Sequence, residues 1–88
     1  MGAALHVIAV GAQVGELDRG ENISVPTTAT SGAGTGLTVN YFAGPDGQLA
    51  THRISVAQRG SGYEVGDTFT VEDPKTLGKW FGEVTRVS

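Results

Sequence analysis

The sequence predicts an all-β protein, a small six-stranded barrel or sandwich, and three observations carry that prediction. Ten valines and ten threonines stand against five leucines and one methionine, and β-branched side chains are stiff at χ1 and fit a pleated surface. Fourteen glycines punctuate the chain at spacings suited to turns. No apolar stripe recurs every 3.6 residues over a stretch long enough to make a helix.

The elements follow in order. Leu5–Val10 is an apolar run bounded by glycines and reads as a strand. Glu21–Val25 is a second strand, stopped by Pro26, which cannot donate to a ladder. Residues 27–36 are a loop of Thr, Ser, Ala and Gly. Leu37–Ala43 alternates, with Leu37, Val39 and Tyr41 on one face and Thr38, Asn40 and Phe42 on the other. Gly44-Pro45-Asp46-Gly47 is the clearest turn, because Pro presets φ and Gly supplies positive φ. Leu49–Gln58 returns as the longest strand, so residues 37–58 form a hairpin. Residues 60–67 turn again, Thr68–Glu72 is a strand, residues 73–78 are a loop, and Lys79–Val87 is the closing strand.

The order strand, strand, strand occurs twice. Sliding the chain by 46 positions lays residues 1–42 on 47–88 and matches His6 with His52, Ile8 with Ile54, Val10 with Val56, Gly20 with Gly66 and Val25 with Val71. Nine of the 42 pairs are identical, where this composition gives roughly three or four by chance. The chain therefore reads as one domain of two degenerate three-stranded repeats, about 1–42 and 47–88, joined by the 44–47 turn. Each repeat alone has one apolar face to cover.

Eighty-eight residues bury only a modest core, and chains of this size often lean on disulfides, a metal or a partner subunit. Cysteine is absent, which removes disulfides and thiolate sites and leaves partner subunits. A net charge of -3 gives no footprint for nucleic acid and no basic patch for a membrane. Leu5–Val10 is too short for a signal h-region, and no run approaches the roughly 20 apolar residues of a span. The chain reads as soluble and made in the cytoplasm.

Catalytic candidates are few, and none is assigned; no cofactor is expected. His6 and His52 occupy equivalent repeat positions; they are either a metal or pH-sensitive pair or two partly buried histidines, and no ligand-spaced Cys or carboxylate favours the metal. The run Ser31-Gly32-Ala33-Gly34-Thr35-Gly36 lacks the Lys of a P-loop and leads into a strand, so it reads as a loop between strands. Ser61 has no nucleophile elbow around it. Glu64, Asp67, Glu72 and Asp73 miss calcium-loop spacing and read as solvated turn acids. Trp80-Phe81 and Tyr41-Phe42 are adjacent aromatic pairs, which a strand points to opposite faces. Two such pairs predict that both sheet faces are covered, as in an assembly, unless one ring of each lies over its neighbours at the rim.

The stretch Gly60-Ser61-Gly62-Tyr63-Glu64-Val65-Gly66-Asp67-Thr68-Phe69-Thr70-Val71 resembles a motif that recurs in virion structural proteins of tailed phages, cyanophages among them. Gly34-Thr35-Gly36-Leu37-Thr38-Val39 and the 44–47 turn precede it, as a Gly-rich strand and short hairpin do in those proteins. The resemblance covers about residues 32–72, and the first repeat departs from it, with Glu16-Leu17 where Gly62-Tyr63 stand. In the motif, Gly60 and Gly62 let the chain leave a strand sharply, Tyr63 lays its ring on the sheet, and Gly66-Asp67 turns the chain back, with Asp67 accepting from backbone N–H groups.

The resemblance implies a non-enzymatic virion component that assembles as a homo-oligomer, usually a trimer. Within the virion a capsid decoration (cement) role on the major capsid protein suits a small chain starting at Met1. A tail, neck, baseplate or fibre component and a receptor- or carbohydrate-binding module are the alternatives. The residues expected at contacts are Trp80, Phe81, Tyr41, Phe42 and Leu5, with both termini, and the segment 1–5 is expected to add a strand to a neighbour's sheet edge.

Overall fold

The computed structural model describes residues 2–88, and they form seven strands without a helix: β1 (Ala4–Val14), β2 (Gly20–Pro26), β3 (Thr28–Ala29), β4 (Thr35–Ala43), β5 (Leu49–Ser61), β6 (Thr68–Glu72) and β7 (Lys79–Val87). They make two antiparallel sheets, one ordered β1-β7-β6-β3 and the other β2-β4-β5. The all-β expectation holds, with two corrections. There are seven strands, because Thr28–Ala29 inside the predicted loop pairs with Phe69 and Thr70 of β6. The sheets also stack as a sandwich and do not close into a barrel, since β1 and β5 approach each other without a ladder.

Alternation builds the core. Leu37, Val39, Tyr41 and Ala43 are buried along β4, as are Phe69 and Val71 on β6 and Trp80, Gly82 and Val84 on β7. Trp80 stands at the centre, its ring nearly perpendicular to Tyr41 at 5.6 Å and to Phe69 at 5.9 Å. This edge-to-face geometry suits the aromatic quadrupole. The indole N–H is buried with no oxygen or nitrogen acceptor. Gly82 is the space into which the Phe69 ring fits, because a Cβ there would lie 2.3 Å from the ring.

Three of the ladder irregularities shape the surface most. β1 leaves its partner at Gly11–Gln13, between the Val10–Phe81 and Val14–Lys79 pairs, and Gln13 reaches across to accept from Leu49 N–H and donate to the Gly47 carbonyl. In β2, Ile23 and Ser24 oppose the single residue Asn40. In β5, the four residues from Ala50 to Arg53 oppose the single residue Phe42. Each is a β-bulge, which bends its strand and re-aims side chains.

Both ends of the described residues pair within the chain. Gly2 exchanges both backbone hydrogen bonds with Tyr63, and Ser88 N–H donates to the Ala3 carbonyl. Gly2 and Ala3 of the segment expected to add a strand to a neighbour are thus paired within the chain on one side, and β1, which follows them, is an edge strand of its sheet; Met1 lies outside the described residues.

Candidate functional site

The Gly-rich loop before β4 and the Gly60–Val71 motif form one interlocked unit. Gly60, Gly62 and Gly66 have φ of 63, 81 and 96°, in the left-handed region that favours glycine. Tyr63 is 2% exposed, and its ring lies on Gly34, where a Cβ would come within 2.2 Å of it. The Tyr63 hydroxyl accepts from Leu37 N–H at 3.3 Å. Asp67 accepts from Glu64 N–H at 2.9 Å and sits against Gly32, where a Cβ would lie 2.6 Å from its carboxylate. Ser31 Oγ accepts from Thr68 N–H. The loop is thus a cradle for Tyr63 and Asp67, with Gly34 answering the first and Gly32 the second.

A second buried constellation involves Asp73. Its carboxylate is 0% exposed and accepts four hydrogen bonds: from Asp18 N–H and the Tyr41 hydroxyl on Oδ2, and from Lys75 and Thr76 N–H on Oδ1. Its turn context predicts a solvated acid; it is instead the polar centre of one end of the sandwich. Burial alone would raise its pKa, but the N–H groups of Asp18 and Lys75, the Tyr41 hydroxyl and Thr76 N–H together hold it below the ordinary carboxylate value. Burial, and then the bond to Asp73, push the Tyr41 phenol well above its ordinary value. Asp-Pro-x-Thr at 73–76 is the local signal for carboxylate bonds to residues two and three ahead. Nothing in the sequence announces the long-range pairing with Tyr41.

The residues expected at contacts separate into two groups. Trp80 and Tyr41 are core side chains, 1 and 2% exposed, so neither presents a surface to a partner. Phe81, Phe42 and Leu5 are half-buried. Phe81 points away from the core that holds Trp80 and Gly82, and strand pairing sets Val10 and Thr70 beside it. Ile8, 41% exposed, shares that outer face at two residues from Val10. His6 is on β1, bonded through Nδ1 to Thr85, while His52 is on the β5 bulge. Among the described residues, no group of three or more His, Cys, Asp and Glu is placed to hold a metal ion.

A cleft of about 450 Å³ lies on the β2-β4-β5 sheet. Asn40 and Phe42 of β4 form its floor, and the β2 and β5 bulges rise on either side with Ile23 on one and His52 and Arg53 on the other. Arg53 lays its guanidinium 4.0 Å from the centroid of Phe42 and comes within 3.9 Å of Glu21. Asn40 accepts from Ser24 N–H, fixing that residue at a positive φ of 53°, and donates to Ser55 Oγ. Sequence reasoning missed this cleft because bulges set by cross-strand register leave no mark in residue alternation.

No family model, no curated protein and no solved structure matches this chain.

Proposed function

We propose that this chain is a non-enzymatic structural protein of a tailed-phage virion, and that it decorates the capsid by packing on the major capsid protein. The observation that carries this reading is the Gly60–Val71 motif together with the Gly-rich loop before it. Tyr63 and Asp67 of the motif pack on Gly34 and Gly32 of that loop and accept from backbone N–H groups, which is scaffold chemistry. The face suited to the shell is the outer side of β1-β7-β6, where Ile8, Val10 and Phe81 make an apolar strip beside Thr68 and Thr70. Half-buried and exposed apolar groups with a polar surround are what a protein interface requires. Self-association as a trimer belongs to the same reading.

The duplication belongs to it as well. A shift of 46 residues carries β1 onto β5, β2 onto β6 and β4 largely onto β7. The orders β1-β7-β6 and β5-β4-β2 are interchanged by that mapping. Each repeat therefore gives its first strand to the sheet of the other, which makes the two halves interdependent. The bulges differ between the halves, so the ladders do not superpose residue for residue.

Binding of the purified chain to assembled shells of its phage, followed by sedimentation, tests the proposal. Saturation in simple ratio to the shell protein, weakened about tenfold by Phe81→Ala or Ile8→Ala, supports it. Binding to tails alone, or to neither, removes it.

A further inference from the structure

We propose that the cleft over Asn40 and Phe42 is a binding site for a neutral saccharide. The cleft is built by both flanking strands: each is bulged where it borders this part of β4, with two residues opposite Asn40 on β2 and four opposite Phe42 on β5. Bulges concentrate beside functional sites. Here they raise two walls around a floor that would otherwise be a flat sheet face, and one of them holds the non-glycine Ser24 at a positive φ.

The chemistry of the lining selects the ligand class. Ile23, 66% exposed, supplies the open apolar contact, the Phe42 ring being covered on one face by the Arg53 guanidinium, and Asn40, Ser55, Glu21 and the N–H edge of Arg53 supply donors and acceptors around it. Asn40 uses one N–H and one lone pair inside the protein and keeps one of each for a ligand. The Glu21 carboxylate and the Arg53 guanidinium lie 3.9 Å apart with side chains 67 and 48% exposed. An exposed pair at that distance binds weakly, so both groups remain available to neighbouring hydroxyls. Opposite charges side by side favour a ligand without net charge. A sugar ring has one apolar face and a rim of hydroxyls, which matches this arrangement, and 450 Å³ falls within the roughly 300–1,000 Å³ of small-molecule clefts. An added protein strand fits poorly, because the bulges interrupt both edges of this sheet.

The site does not depend on the virion assignment, and its failure would leave the shell-facing side of the molecule untouched. The test is ¹H–¹⁵N NMR titration of the intact chain with methyl β-glucoside, methyl β-galactoside, methyl α-mannoside and N-acetylglucosamine at millimolar concentrations. The expected result is a shift confined to residues 21–24, 40–42 and 52–55 with at least one sugar. Ile23→Ser and Glu21→Gln, both at exposed side chains, are expected to weaken that binding about tenfold each while leaving the remaining spectrum in place. No shift with any of the four sugars, shifts elsewhere on the surface, or unchanged affinity in both variants would overturn the proposal.

Discussion

The hydroxyl of Tyr41 donates to the buried carboxylate of Asp73 at 2.8 Å across 32 positions of the chain. That one contact ties the centre of β4 to the loop between β6 and β7. The same carboxylate reaches the β1–β2 connection through Asp18 N–H, so three segments meet on a single side chain. An 88-residue sandwich without disulfides has few other ways to fix loops that contribute little apolar area.

Removing the carboxylate is therefore expected to cost far more than removing the phenol oxygen. Tyr41→Phe deletes one hydrogen bond and should lower unfolding free energy by about 1–2 kcal/mol. Asp73→Ala strands three backbone N–H groups and the phenol, and should cost about 2–4 kcal/mol. Urea denaturation of both variants measures the difference, and equal losses would show that Asp73 is not the centre of the network.

The same pair gives stability two pH limbs. Asp73 is held below its unfolded value of about 3.9, so its contribution is complete above that pH and is lost as pH falls through the folded value. Tyr41 is held above its unfolded value of about 10, so its contribution is complete below pH 10 and is lost as pH rises through the folded value. Tyr41→Phe should flatten the alkaline limb and Asp73→Asn the acid limb, as read from denaturation midpoints at each pH.

The Gly34–Tyr63 contact makes a sharper prediction. A methyl at residue 34 would lie 2.2 Å from the Tyr63 ring, so Gly34→Ala must expel the ring or open the loop and should cost about 1–3 kcal/mol. Once Tyr63→Ala has emptied the space, Gly34→Ala should be almost free. A double-mutant cycle on denaturation free energies reads that coupling, and additive losses would mean that the loop and the motif are independent.

Much of the fold was legible. Thr68–Glu72 and Lys79–Val87 fall where the alternation of apolar and polar residues placed them, because those strands pair regularly with each other over five consecutive residues. β1 runs four residues past Val10, to Val14, since Gly11 at φ 72° bends the strand without ending it. β3 escaped because two residues, Thr28 and Ala29, have no period; they are strand only through β6. The aromatic pairs showed that one ring of each must face outward, and only packing chose Trp80 and Tyr41 for the core. Asp73 looked like a surface acid because its local context is a turn, and its burial is decided by Tyr41, which lies far away in sequence.

Backbone geometry separates two further glycines. Gly78→Ala places a methyl 2.1 Å from the Glu16 carbonyl oxygen, a backbone atom that cannot step aside cheaply. Gly11→Ala meets no atom within 4 Å and carries only the cost of φ +72°, about 1 kcal/mol. Thermal midpoints should therefore fall clearly further for Gly78→Ala, and the reverse order would show that the 15–19 and 73–78 loops do not pack as closely as described.

The central claim is that this chain is a shell component, and counting its copies in purified particles by quantitative mass spectrometry tests that most directly. The account predicts a copy number in simple ratio to the major capsid protein. A number matching a tail or baseplate ring would move the chain off the shell, and its absence from the particle would contradict the virion assignment altogether.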